Sequence, residues 1–167
     1  MCEDHQARDQ SRNNLAVEVL HKTGVLRLSA FGYSMLPTLY PGDILTIRRR
    51  TLSLIQPGEV VLYTRSGRFF LHRNLYSAKT GSGAVLVTRG DAMPHADEPV
   101  TETELLGKVV NIERCGQQMA VPSCTPLRRA VGLLLAYSRR LRSLVLRWHK
   151  PPVATAAQEF VSGEVSR

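Results

Sequence analysis

Long apolar runs are missing from this chain. The longest, Ala130 to Tyr137, covers about eight residues before Ser138-Arg139-Arg140 interrupts it, well short of the ~20 that a membrane-spanning helix needs. Residues 1–14 are polar and mixed in charge, without the apolar core of a secretory signal. The expectation is a protein that resides in the cytoplasm or lies peripherally on the cytoplasmic membrane. Cysteine is scarce: Cys2, Cys115 and Cys124 are odd in number and follow no zinc-ligand spacing, so neither a disulfide framework nor a metal site is suggested. No cofactor is called for. Acidic residues disappear between Glu113 and Glu159, while arginine is frequent there, in a chain of net charge +8. That imbalance points to an anionic partner.

What is present fits one domain with tails, given 167 residues. Residues 1–14 read as a disordered tail. Leu15, Ala16, Val19 and Leu20 fall at helical spacing before Gly24, which predicts a short amphipathic helix with a glycine cap. Short β-like runs follow over 25–31, 44–47, 60–64, 69–76, 84–88 and 105–112, separated by glycine and proline turns such as Ser66-Gly67. The spacing predicts a mainly β domain over 15–122. Arg48-Arg49-Arg50 reads as a solvated loop, and no specific nucleic-acid partner is expected.

The stretch 126–149 differs in kind. At about 100° per residue, Leu127, Val131, Leu134, Leu141, Val145 and Trp148 share one side, and Arg128, Arg129, Arg139, Arg140, Arg142 and Arg147 fall on the other. This predicts a basic amphipathic helix. Two roles are open to it: its apolar side packs on the β domain, or its arginines and Trp148 hold it on an anionic membrane surface. Pro151-Pro152 ends it, and 150–167 reads as a second disordered tail.

The chemistry centres on Phe31 to Asp43. Here Ser34 stands where a β-like run gives way to a short helical turn that Pro37 and Pro41-Gly42 end. The first amides of such a turn lack partners, so Ser34 offers both a nucleophile and an oxyanion donor. A base must come from elsewhere. No lysine lies between Lys22 and Lys79, and those two are read on a surface helix and in a glycine-rich loop. His72, in an apolar strand, suits the task better, since an unperturbed imidazole titrates near ~6.5; the alternative is a core histidine satisfied locally. His95, beside Pro94, reads as surface. Asp91 and Asp97 lie in one loop, and either could orient His72. Asp43 reads as structural.

These residues fall in ordered boxes. Gly32-Tyr33-Ser34-Met35-Leu36-Pro37-Thr38 with Gly42-Asp43, then Pro57-Gly58-Glu59-Val60-Val61, Leu71-His72-Arg73, Thr88-Arg89-Gly90-Asp91 with Asp97, and Gly107-Lys108-Val109 together resemble the signal peptidase I family over roughly 25–115. Bacterial members carry a catalytic lysine where this chain has His72, so the resemblance is to the archaeal and endoplasmic-reticulum branch. It implies a β-ribbon domain related to the LexA and signal-peptidase fold, with a short N-terminal and a C-terminal amphipathic helix. It also implies a serine endopeptidase cutting a peptide or preprotein after small residues, with Ser34 as nucleophile and oxyanion donor, His72 as base and Asp97 as orienting carboxylate, Asp91 being its neighbour or substitute. Two other readings remain at this point: a self-cleaving regulator of the LexA type, and a non-catalytic peptide- or membrane-binding module on the same fold.

Overall fold

The computed structural model describes residues 2–81, 83–138, 143 and 145–147. Helix α1 (Cys2–Thr23) leads into strand β1 (Val25–Ser29). After the serine-bearing turns come β2 (Ile44–Arg48), a single 3-10 turn (Leu52–Leu54), β3 (Val60–Arg65), β4 (Arg68–Thr80), β5 (Gly83–Arg89), β6 (Leu105–Arg114), the short β7 (Gln117–Met119) and helix α2 (Pro126–Tyr137). The strands form one antiparallel sheet in the order β1-β2-β6-β3-β4-β5, with β7 paired to β6. The protein is thus mainly β with a helix toward each end.

Gly24, at φ +74°, donates its amide to Leu20 O and turns the chain from α1 into β1, as a glycine C-cap does. The helix itself corrects the expected tail over 1–14, because it begins at Cys2. That segment has no apolar stripe, but it also has no glycine or proline. Once Leu15–Lys22 is helical, each further residue adds one backbone bond and nothing interrupts the extension.

Strand β3 explains the core. Its alternate side chains enter opposite layers, Val60 and Leu62 with Leu45, Ile47 and Ile112, Val61 and Tyr63 with Leu86 and Val100. A strand covered on both faces reads as a continuous apolar run, and each such buried side chain contributes about 1.5–3 kcal/mol of transfer free energy. The hairpin to β4 turns through Ser66 (φ 52°) and Gly67 (φ 71°), the two left-handed residues of a tight two-residue loop. Lys79, read as loop, lies on β4, which runs to Thr80.

Helix α2 is shorter than the expected 126–149. Ser138 is extended at φ −104° and ψ 101° and ends it; serine is a weak helix former whose hydroxyl competes for backbone groups. The helix docks through Gly132 and Leu135 onto Leu36 and Ala92. Consequently Leu127, Val131, Leu134 and Tyr137 stay exposed. Arg139, Arg140, Arg142, Trp148 and 150–167 lie outside the described residues. No helix among the described residues is long and apolar enough to cross a membrane.

Candidate active site

Ser34 sits on two short consecutive turns, closed by Leu36 N–H to Tyr33 O and by Thr38 and Leu39 N–H to Met35 O. Its own amide has no acceptor among the described residues, which leaves it free to polarise a carbonyl. The turn is held from behind. Asp43 accepts from Tyr40 N–H and pairs with Arg114 at 2.7 Å, the structural role expected of it. Ala92 N–H donates to Ser34 O at 2.8 Å, and a Cβ built on Gly90 would meet Ser34 O at 2.6 Å. Only glycine lets the loop after β5 approach so closely.

Strand β4 supplies the next residue. His72 pairs with Val61 across the β3–β4 ladder, and its side chain is buried, 9 % exposed. Tyr63 and Phe70 meet its ring edge-on at 6.2 and 6.3 Å between centroids. Nε2 of His72 lies 3.1 Å from Ser34 Oγ, and Nδ1 lies 2.6 Å from Asp97 Oδ2. The structure therefore brings Ser34, His72 and Asp97 together from three separate segments.

The state of Asp97 fixes the tautomer. Burial alone would raise its carboxyl, but the hydrogen bonds from His72 and from Thr88 outweigh burial and hold the pKa below the ordinary carboxylate value. Thr88 Oγ1 donates at 2.7 Å, and the Tyr63 hydroxyl reaches the same carboxylate. Burial and the adjacent Asp97 charge push the Tyr63 phenol up to about 12, so it remains a donor. An ionised Asp97 can only accept. Nδ1 of His72 then carries the proton, and Nε2 presents its lone pair to the Ser34 hydroxyl.

Asp91 does something else, which corrects its reading as a neighbour or substitute for Asp97. It receives Arg73 Nε at 2.8 Å and Nη2 at 2.7 Å, and Thr38 Oγ1 at 2.5 Å. Arg73 also donates to Gly58 O and Pro122 O. The reason is strand alternation: Arg73 follows His72 and points to the opposite face, and Asp91 follows the arginine. His95 is exposed and takes no part. Lys22 pairs with Glu18 on the surface.

Sequence reasoning missed Thr88, Tyr63, Thr38 and Arg73 as supports. Thr88 carried a signal, a polar residue closing an otherwise apolar strand directly opposite β4. Tyr63 carried none, since it reads as core. Asn74, opposite Thr88 on the same ladder, is fully buried with no partner for either amide atom among the described residues.

In chemical class the arrangement is a serine hydroxyl, an imidazole and a buried carboxylate in hydrogen-bonded series on a β scaffold. No protein-family model matches the chain, and neither does any curated protein.

Proposed function

We propose that this protein is a serine endopeptidase resembling signal peptidase I, working at or near the cytoplasmic membrane on an extended peptide or preprotein and cutting after small residues. The observation that carries the reading is the continuous series Ser34 Oγ, His72 Nε2, His72 Nδ1, Asp97 Oδ2, with contacts of 3.1 and 2.6 Å. In the reaction His72 takes the Ser34 proton as Oγ attacks the scissile carbonyl. Asp97 stabilises the imidazolium, the Ser34 amide bonds the developing oxyanion, and His72 then protonates the leaving amine. Water deacylates the ester by the same steps in reverse order.

Tyr33, exposed and next to the half-buried serine in the chain, and exposed Met93, which flanks Gly90 together with Ser34, would contact the peptide, with exposed Phe31 three residues before the serine. Arg128, Arg129 and Arg147 and the exposed apolar stripe of α2 support an anionic membrane surface as partner. The test is hydrolysis of a peptide library with small residues at varied positions, read by mass spectrometry. Ser34→Ala should lower turnover at least about 10⁴-fold and abolish labelling by a fluorophosphonate; cleavage at the parental rate by Ser34→Ala ends the proposal.

A further inference from the structure

Among the described residues, Asn74 alone has buried side-chain polar atoms with no hydrogen-bond partner, and both its Nδ2 and its Oδ1 are in that state. Its backbone is satisfied, the N–H by Glu59 O at 2.8 Å and the carbonyl by Gly58 N–H at 2.7 Å, so the ladder makes no demand on the side chain. Exchanging the amide oxygen and nitrogen changes nothing, because neither has a partner. A buried amide in that condition is costly. A leucine of similar size would need no partner on this face of the sheet, which Val61 and Leu86 of the apolar core share.

The neighbours of the amide give a reason for it. Asn74 follows His72 by two residues on β4 and so shares its face, and it stands directly opposite Thr88 on β5, where side chains approach to about 5 Å between Cβ atoms. Asn74 and Thr88 are both fully buried, at 0 % exposure. The two nitrogens of His72 are committed to Ser34 and Asp97. Thr88 Oγ1 directs its proton to Asp97 and keeps two acceptor lone pairs, of which the Tyr63 hydroxyl, a neighbour of both Thr88 and Asp97, can use one. One acceptor position thus remains on Thr88, opposite an amide with two unused N–H groups. No direct bond joins the two side chains, and a closed polar gap of this kind is where internal water is held.

We propose that Asn74 is a positioning residue of the site, holding one internal water between its side-chain amide and Thr88 Oγ1. Lying across the amide, the water accepts from Nδ2–H, returns one hydrogen to Oδ1 and gives the other to Thr88, three bonds that answer both unpartnered atoms. The donors then run in one direction, amide to water to threonine to the Asp97 carboxylate, and each bond polarises the next. The chain keeps the Thr88 proton on Asp97, and with it the His72 tautomer that faces Ser34. The catalytic role rests on the reading of Ser34 as nucleophile; the water and its effect on Asp97 do not.

NMR of the whole protein and peptide cleavage on the same samples test it. In the parent, the side-chain amide protons of Asn74 should show cross-relaxation with a long-lived water. Asn74→Leu removes the amide and excludes the water: the carbon-13 titration of Asp97 should move to higher pH, by less than in Thr88→Val, and turnover should fall about three- to tenfold, the effect of one hydrogen bond. Asn74→Ser, which keeps a hydroxyl and leaves room for water, should restore both most of the way. Adding Asn74→Leu to Thr88→Val should change neither further, since without the threonine hydroxyl the chain is already cut. Absence of the water signal overturns the water, and an unmoved Asp97 titration in Asn74→Leu, or a full further shift in the double variant, overturns the positioning role. Should Asn74→Leu fail to fold by circular dichroism, the water signal of the parent decides alone. A parent that cuts no peptide ends the nucleophile reading, while the titration still decides the place of Asn74.

Discussion

His72 and Arg73 are consecutive on β4, face opposite ways, and each meets an aspartate from the segment that follows β5. The two pairs are built from similar groups and behave differently. Arg73 and Asp91 are 5 % and 3 % exposed, and they are hydrogen-bonded to one another and to Thr38, which holds both side chains in place. His72 and Asp97 are 9 % and 21 % exposed, and the imidazole keeps one nitrogen for a hydroxyl at the surface of the fold. A carboxylate beside a cationic or protonatable group is therefore not by itself a catalytic feature. The free lone pair, and the nucleophile placed against it, make the difference.

That contrast can be broken from either side. Asp97→Asn keeps the shape of the site but can hold the wrong tautomer of His72; turnover should fall by up to about 10⁴-fold, while urea unfolding shifts by no more than about 1 kcal/mol. Arg73→Met should do the reverse, leaving Asp91 charged and buried at a cost of about 3–5 kcal/mol in unfolding free energy. The double variant Arg73→Met/Asp91→Leu should recover most of that loss, since a buried pair replaced by apolar groups is often neutral. A full loss of activity without loss of stability in Arg73→Met would erase the distinction. Gly90→Ala couples the two halves: its Cβ meets Ser34 O, so a drop of about 1–3 kcal/mol should accompany lower turnover, measured on the same preparation.

Much of this is legible in the sequence. The β runs, the Ser66-Gly67 hairpin and the glycine after α1 follow from period-two alternation and positive-φ turns, which are local. The grouping of Ser34, His72 and Asp97 came through ordered boxes, not through spacing, because the three residues approach across different strands. What stayed hidden was face. Nothing local says that Asp91 turns toward Arg73 and Asp97 toward His72; that depends on where β4 sits in the sheet. The docking side of α2 was hidden for a similar reason. Its stripe of large apolar residues suggested the buried face, yet the helix approaches the backbone of Leu36 and Asp91 through Gly132, where close contact counts for more than side-chain size.

The smallest effect probes how Asp97 is held. Its folded pKa is lowered from an ordinary value of 3.8, with burial opposing and the His72 and Thr88 hydrogen bonds prevailing. A lowered folded value means that this carboxylate contributes stability in full above the unfolded pKa, and loses the contribution as pH falls through the depressed folded one. Thr88→Val removes one donor without changing the side chain's shape. The folded pKa of Asp97 should then rise, so the loss of its contribution begins at higher pH, while His72 keeps its bond and turnover falls only modestly, by about tenfold or less. A carbon-13 titration of the Asp97 carboxyl reads the shift directly. Tyr63→Phe should move the same resonance in the same direction by less, because the buried phenol stands behind Thr88 in its hold on the carboxylate. An unmoved titration in both variants would mean that His72 alone sets the charge of Asp97, and that the threonine and tyrosine are packing.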